Sequence, residues 1–320
     1  MKKLFILIVL ATITTTSDAC DICGCGSGGS FMGMIPQFGY DQFGIRSGYR
    51  IFHHPMTALN MNGQSRVLKD ENWSFDFNYR KFTGRRFQFA FVLPYKLNTR
   101  TETLRTTQIK GIGDLQGSVL YTFLNTTDSM QVRFKQILTA GIGVKLPTGK
   151  YMQRDDSKTM LPALFQIGTG STDFIVQVYY VIRYRNWGVN AIGQYTLRGE
   201  NELTYAFGDF VQTTASVFYK KDFVREIKPR GSAAYVSGET RVISVLPTIG
   251  YSMENAQVDY QYDLEKENTG GTQYLLHGGL DVYFSKWSLS LFYQHAVFND
   301  IPVAQPENKD RFGLGVSFKV

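Results

Sequence analysis

Three cysteines stand close together near the N-terminus, at Cys20, Cys23 and Cys25, and they are the only cysteines in the 320 residues. Their spacing is CxxCxC, and a glycine-rich run follows as far as Ser30. Thiolates at this spacing can hold a soft ion such as Cu(I) or Zn(II), and glycines let the backbone wrap around it. We therefore predict Cys20, Cys23 and Cys25 as candidate metal ligands for Cu or Zn. The cluster alone is one ligand short of a four-ligand structural site.

The same cysteines allow three other interpretations. Cys20 stands where a lipoprotein accepts its acyl chains, although the preceding Ser17-Asp18-Ala19 lacks the usual leucine and also fits ordinary cleavage after Ala19. A Cys20–Cys23 disulfide would suit an oxidising compartment, and it would leave Cys25 over unless lipidation consumes Cys20. The cysteines can also be unpaired and without a role. The sequence leaves these alternatives open.

Other residues with catalytic side chains form no convincing site. His277 and Asp281 alternate onto one face of a predicted strand, but four residues along a strand separate them by roughly 13 Å. Serine, histidine and acidic residues occur elsewhere without a nucleophile motif, and no signature of a barrel protease or phospholipase is present. We therefore predict that the protein is not an enzyme. Among the possible functions of a barrel, a hydrolase is the least favoured.

The N-terminus predicts export. Lys2 and Lys3 precede an apolar run from Leu4 to about Ile13, and Ser17-Asp18-Ala19 provides a cleavage site. This is the layout of a secretory signal peptide, and the run is too short for a spanning helix. We predict a signal peptide over 1–19, a Cys/Gly-rich periplasmic head over 20–37 and a β-barrel over 38–320.

Alternating apolar and polar residues then recur along the chain, which contains 24 Phe, 19 Tyr and 31 Gly. In Arg311–Val320 every second residue is apolar up to the last position, and similar patterns occur at 73–80, 173–184, 257–264 and 287–294. A strand in an outer-membrane barrel alternates in this way, with its apolar residues facing lipid and its polar residues facing the lumen. The final strand of such a barrel closes against the first.

The links between these patterns alternate in length. Short links are predicted at 83–86, 125–129, 185–186, 220–222, 254–255 and 285–286, and longer links at 53–72, 97–107, 147–170, 199–204, 230–239, 266–272 and 299–309. Outer-membrane barrels have short periplasmic turns and longer external loops. The sequence therefore predicts an all-β, transmembrane antiparallel β-barrel of roughly 14 strands. Twelve strands result if the weak segment near Phe223–Lys228 and its partner are dropped.

Charged residues on the polar faces are the predicted lumen lining. This set comprises Asp76, Arg80, Asp114, Arg133, Lys135, Asp173, Arg183, Arg198, Asp259, His277 and Asp281. Both signs are present, and charges inside a low-dielectric wall must be paired or hydrated. The formal net charge is +7, which either favours anionic solutes in the pore or pairs with lipid phosphates at the membrane surface. Outer-membrane lipids and a small solute are thus the predicted partners, and nucleic acid is not.

One stretch of the chain resembles a known family. Gly111-Ile-Gly-Asp-Leu115, Gly143-Val-Lys-Leu-Pro-Thr-Gly-Lys150 and Gln166-Ile-Gly-Thr-Gly-Ser171 with Asp173 are similar to motifs of the porin-like outer-membrane transporters of the phenol-degradation-pathway barrel family. The resemblance covers about residues 70–320, and it implies a passive channel for small solutes, including hydrophobic or aromatic compounds. The cysteine head lies outside it.

Two functions follow as expectations. The first is an outer-membrane channel or transporter, in a Gram-negative bacterium, that passes small solutes passively, with the 147–170 link and the head as candidate plugs. The alternative is a non-transporting barrel that presents the CxxCxC head for metal handling or partner docking. The sequence defines neither the solute nor the oligomeric state.

Overall fold

The computed structural model describes residues 40–53, 68–102, 105–127, 133–156, 158–227, 239–302 and 307–320. The predicted signal peptide over 1–19 and the head over 20–37, with Cys20, Cys23 and Cys25, lie outside these residues. No helix in the described part of the chain is long and apolar enough to span a bilayer.

Seventeen strands account for most of the described residues. They are β1 (Gln42–His53), β2 (Lys69–Thr83), β3 (Phe87–Glu102), β4 (Arg105–Ile112), β5 (Leu115–Asn125), β6 (Phe134–Leu146), β7 (Asp173–Tyr184), β8 (Trp187–Leu197), β9 (Tyr205–Ala206), β10 (Phe210–Tyr219), β11 (Lys221–Ile227), β12 (Glu239–Ala256), β13 (Tyr260–Gln261), β14 (Leu264–Glu265), β15 (Gly271–Tyr283), β16 (Trp287–Asp300) and β17 (Glu307–Lys319). A 3-10 helix, Ala163–Phe165, lies between β6 and β7.

Twelve of these strands form a closed antiparallel ring. The order around it is β1, β2, β3, β5, β6, β7, β8, β10, β12, β15, β16 and β17, and β17 returns to pair with β1. The register of the closing pair runs from Gln42 opposite Lys319 to His53 opposite Glu307. Closure leaves no strand edge unpaired in the wall, which hydrocarbon requires. The predicted closure by the C-terminal strand is therefore confirmed.

The two further strands of the 14-stranded sheet, β4 and β11, extend ring strands beyond the wall. β10 and β11 pair with β12 in one unbroken register, from Phe210 opposite Ala256 to Ile227 opposite Glu239. The predicted turn at 220–222 is therefore wrong, since the chain continues straight through it. The predicted turn at 254–255 is wrong for the same reason, because β12 continues to Ala256. Losing these two turns reduces the ring from 14 strands to 12.

The third correction concerns the predicted strand around Val258–Leu264. Its residues form the small β13–β14 hairpin, which pairs with β9 outside the ring. The side chains of Tyr262 and Leu264 are about 70% exposed at its tip, at 69% and 72%. Alternation over so few residues does not distinguish a wall strand from an exposed hairpin.

The outer surface of the ring is apolar, as alternation predicts. On β7, for example, Phe174, Val176 and Val178 are exposed, while the intervening Ile175 and Gln177 are buried. Aromatic side chains concentrate near both ends of the wall. They are Phe87, Tyr121, Phe123, Phe134, Tyr184, Trp187, Tyr219 and Trp287 at the end with the short turns, and Tyr49, Trp73, Tyr251, Tyr274 and Phe298 toward the other. An apolar band between aromatic girdles is the lipid-facing surface of an outer-membrane barrel.

Candidate solute pathway through the barrel

A buried charge cluster lies inside the external end of the barrel. Lys145 of β6 pairs with Asp173 of β7, and its Nζ is 3.7 Å from Oδ2 of Asp114. The Lys145 ammonium also donates to the Thr169 hydroxyl at 2.8 Å. All three charged side chains are at most 6% exposed. Charges this deeply buried are tolerated only when they are paired and hydrogen-bonded, and here they are.

A β-bulge directs Asp114 into this cluster. β4 and β5 both pair with β3, but the register shifts by one residue between Ile112 and Gln116. The extra residue lies close to Pro94. Proline has no N–H to donate to the strand ladder, and the Pro94 carbonyl accepts a hydrogen bond from the Gly113 N–H. Bulges re-aim side chains in this way.

The carboxylate of Asp114 fastens the long link between β6 and β7. It accepts hydrogen bonds from the backbone N–H groups of Gly149 and Thr169, each at 2.9 Å, and from the Thr169 hydroxyl at 2.8 Å. Gly149 and Gly168 touch, so a Cβ on either would lie within 2.7 Å of the other's backbone. The two ends of the link, which we call the plug segment (147–172), are therefore held together at one point.

The plug segment folds into the barrel mouth. Leu161, Phe165 and Ile167 are its buried apolar residues, at 8%, 2% and 0% exposure. The amide of Asn98, on the inner face of β3, donates to the Phe165 carbonyl at 2.9 Å, and the Arg100 guanidinium lies over the Phe165 ring at 4.8 Å. Contacts with inward-facing residues place the segment inside the mouth. This is where the sequence predicted a plug.

The outer side of the plug segment is tied to the β3–β4 hairpin. Arg105 binds Asp155 at 2.9 Å and Asp156 at 3.1 Å, and the hydrogen bond with Asp156 raises the pKa of the Arg105 guanidinium. These groups are more exposed than the Lys145 cluster, so they contribute less to holding the segment.

Two further external loops close over the mouth. The Asp259 carboxylate, 1% exposed, accepts from the Tyr205 hydroxyl and from the Gly208 N–H at 2.8 Å. Asn201 then donates to the Thr169 carbonyl at 3.0 Å, which joins these loops to the plug segment. Asp259 therefore lies in the loop assembly, not on a lumen-facing strand, and its prediction as wall lining is corrected.

Polar side chains fill the interior where β12, β15 and β17 face one another. Arg311 of β17 makes two bonds to Glu254 of β12, at 2.6 and 2.7 Å, and a third to Gln273 of β15 at 2.9 Å. All three side chains are buried. Asp76 lies on the inner face of β2 opposite Arg46. The inward side chains of β2 from Asn72 to Phe82 stay partly exposed, so an accessible part of the interior runs along β2.

The periplasmic end differs from the rest of the interior, because it is apolar. Ile137, Val181, Phe218, Leu246 and Tyr283 form one buried cluster on the inner faces of five strands. They line a cavity of about 520 Å³ that we call the vestibule. Its remaining lining includes the cationic residues Lys135, Arg183, Lys220 and Lys319.

The predicted lumen residues fall into separate groups. The structure brings Asp114 and Asp173 together through Lys145, and it places Lys135 and Arg183 at the vestibule. The other positions are as follows: Asp76 and Arg80 on the inner face of β2; His277 on the inner face of β15; Asp281 on the same face of β15, opposite Leu246 of the vestibule; Arg198 at the external end, with its guanidinium 5.1 Å from the Phe210 ring centroid; and Arg133 exposed before β6. Arg133 is thus not on a wall strand.

His277 and Asp281 make separate contacts. His277 Nδ1 lies 3.2 Å from the Ser252 hydroxyl, whereas Asp281 accepts from Ser290. The described residues contain no group of three or more His, Cys, Asp or Glu that could hold a metal. The candidate ligands Cys20, Cys23 and Cys25 are outside this set.

Sequence reasoning missed Glu254 and Arg46. The predicted turn at 254–255 contains Glu254, although this residue continues the alternation of Ser252. Arg46 lies in a first strand whose alternation is interrupted by glycines. A longer alternation window across 242–256 would have found Glu254.

The sequence matches no family model and none of the curated proteins. Among solved structures, an outer-membrane channel from Pseudomonas putida F1 superposes with a TM-score of 0.61 at 15% identity, covering 91% of this chain and 98% of that one. The translocator domain of the autotransporter NalP from Neisseria meningitidis and the NanC porin each give 0.42. Their identities are 12% and 10%, with 88% and 87% of this chain and 89% and 100% of the other covered.

The closed ring, the apolar outer band and the aromatic girdles define an outer-membrane β-barrel. Such a barrel resides in the outer membrane of a Gram-negative bacterium. The start of β1, the end of β17 and the short turns lie on the periplasmic side. The superposition on the Pseudomonas putida F1 channel agrees with this fold.

Proposed function

We propose that this protein is a passive channel for small solutes whose external mouth is gated by the plug segment. The observation that carries the proposal is the attachment of that segment. It enters the mouth between Gly149 and Gly168, and its two ends are fastened there by the buried cluster around Lys145. Between these ends it is also held by Asn98 and by the more exposed Arg105. Because its two ends are tied together at the rim, the segment can leave the mouth as one unit.

The interior charges also support a solute path. Charges of both signs line the lumen and are hydrogen-bonded. A polar or hydrated solute can therefore interact with groups of complementary charge as it moves through the lumen. Buried polar side chains occupy much of the interior, so we propose small solutes. The hydrophobic or aromatic solutes implied by the family resemblance suit the apolar vestibule, and they remain part of this proposal.

Conductance in planar bilayers tests the channel. The decisive variant replaces Met152–Gln166 by two glycines. This excision is sterically reasonable because the Gly168 N–H already bonds to the Lys150 carbonyl at 3.0 Å, so the cut ends lie side by side. We expect the wild type to open rarely and the excised variant to conduct steadily.

A matched control alters the exposed tip of the β13–β14 hairpin and keeps its pairing with β9. Tyr262→Ser with Leu264→Ser changes two side chains that are 69% and 72% exposed. This variant should leave conductance unchanged. Bilayers that stay silent for the wild type and for both variants, at every salt concentration tested, would overturn the channel proposal.

The cysteine head is a second proposal, because its spacing still suits a soft metal. Stoichiometric Cu(I) or Zn(II) binding by the mature protein would support it. The readout is metal content after dialysis, which is independent of conductance.

A further inference from the structure

The vestibule combines an apolar floor with a cationic rim. Its floor is apolar, with Ile137, Val181 and Leu246 at most 7% exposed. Its described lining also carries four cations, and no aspartate or glutamate lies among the described lining residues. A cavity of about 520 Å³ falls in the range of pockets that enclose a small organic molecule, which is roughly 300–1,000 Å³.

The cations face the cavity because of strand alternation. Lys135 is two residues before Ile137 on β6, and Arg183 is two residues after Val181 on β7, so each cation shares a face with a floor residue. The two cations are opposite each other in the β6–β7 register. Side chains on the inner face cannot reach lipid phosphates outside the barrel. The basic rim therefore borders the vestibule.

The remaining two cations enclose the opposite side. Lys220 follows the inward Phe218, and Lys319 follows the inward Ser317 on the closing strand. Lys220 is bound to Asp222 at 2.9 Å, and Lys319 lies 4.5 Å from the ring centroid of Tyr40. Asp222 offsets one positive charge and the Arg183 guanidinium donates to the Arg185 carbonyl at 2.7 Å, while the described lining itself contains four cations and no carboxylate.

The Phe218 ring forms one side of the vestibule. The ring of Phe218 lies over Gly188, where a Cβ would be 2.1 Å from the ring's Cζ. Glycine on the neighbouring strand leaves room for this ring, which packs against the wall and lines the cavity.

We propose that the vestibule binds an amphiphilic organic anion, with an apolar or aromatic body on the floor and a carboxylate or sulfonate at the basic rim. An apolar body gains from leaving water, and an anionic head is stabilised by several cations near a low-dielectric floor. A neutral apolar molecule leaves the cations without a partner from the ligand. This proposal rests on the proposed channel function and names its solute class.

The test uses two probes with one body, 2-naphthoate and 2-naphthamide. Binding to the full mature protein in nanodiscs is measured by equilibrium dialysis, with empty nanodiscs subtracted. We expect 2-naphthoate to bind at least about tenfold more tightly than 2-naphthamide at low salt, and the difference to shrink as salt screens the rim.

Variants separate the rim from the floor. Lys135→Met with Lys319→Met should remove most of the preference for 2-naphthoate and leave 2-naphthamide binding unchanged. The matched control is Lys221→Met with Lys286→Met, which removes two exposed lysines at the same end that do not line the cavity. Val181→Ser should weaken both probes alike, because it makes the floor more polar.

Three results would overturn the proposal: equal binding of the two probes, no saturable binding of either, or a preference that survives loss of Lys135 and Lys319. None of these depends on conductance. A silent bilayer with selective naphthoate binding would refute the channel but keep the site, and the reverse would keep the channel and refute the site.

Discussion

Removal of the Lys145 charge should release the plug segment. In Lys145→Met the methionine fills a similar volume, while Asp114 and Asp173 lose their buried cation. Breaking a buried ion pair by removing one partner costs about 3–5 kcal/mol, because an uncompensated charge stays buried. This free-energy penalty destabilises the state in which the plug segment is bound, because release of the segment exposes both carboxylates to water.

This penalty gives the expected change in the equilibrium between the fastened and the released plug segment. About 3–5 kcal/mol corresponds to a shift of roughly two to three and a half orders of magnitude in the equilibrium between fastened and released states. This is an upper range, because Asn98 and Arg105 still hold the segment. Open probability in planar bilayers is the measurement, and we expect it to rise by at least about tenfold.

The matched control is Lys150→Met. Lys150 lies in the same segment, is exposed, and its side chain is not part of the Lys145 cluster. Its loss should leave open probability unchanged. The double variant Lys145→Met with Asp173→Asn should recover part of the closed state, because only one buried carboxylate remains. If folded Lys145→Met opens no more often than the wild type, or if Lys150→Met opens equally often, the gating by this cluster is refuted.

The remaining predictions concern stability, the vestibule and the head. Arg311→Met should lower the free energy of unfolding by about 3–5 kcal/mol in urea titrations because Glu254 stays buried without its cation, and an unchanged midpoint would contradict this. Gly188→Ala should cost about 1–3 kcal/mol by displacing the facing phenylalanine ring, and should also weaken 2-naphthoate binding; normal affinity would mean that the ring does not shape the site. Replacing both Cys23 and Cys25 by serine should abolish Cu(I) or Zn(II) binding, and retained stoichiometric metal would exclude the cysteine site.

Long-range register decided what local alternation could not. The sequence predicts a turn at 220–222, yet β10 and β11 keep one register against β12. Glu254 looked like a turn residue, and only its bidentate contact with Arg311 from a strand 57 positions away explains its burial. Hydrogen-bond register and charge pairing between distant strands are not encoded in a short window.

The sequence alone determined the wall, because lipid outside and polar groups inside impose a period of two on every strand, as in Arg311–Val320. It also singled out the motifs around Asp114, Lys145 and Asp173, but not that they meet. The tertiary structure decided the ring of twelve strands, the inward fold of the plug segment and the basic rim of the vestibule. Each of these features depends on which residues of separate strands lie at the same height along the barrel axis. Closure of the ring fixes those heights.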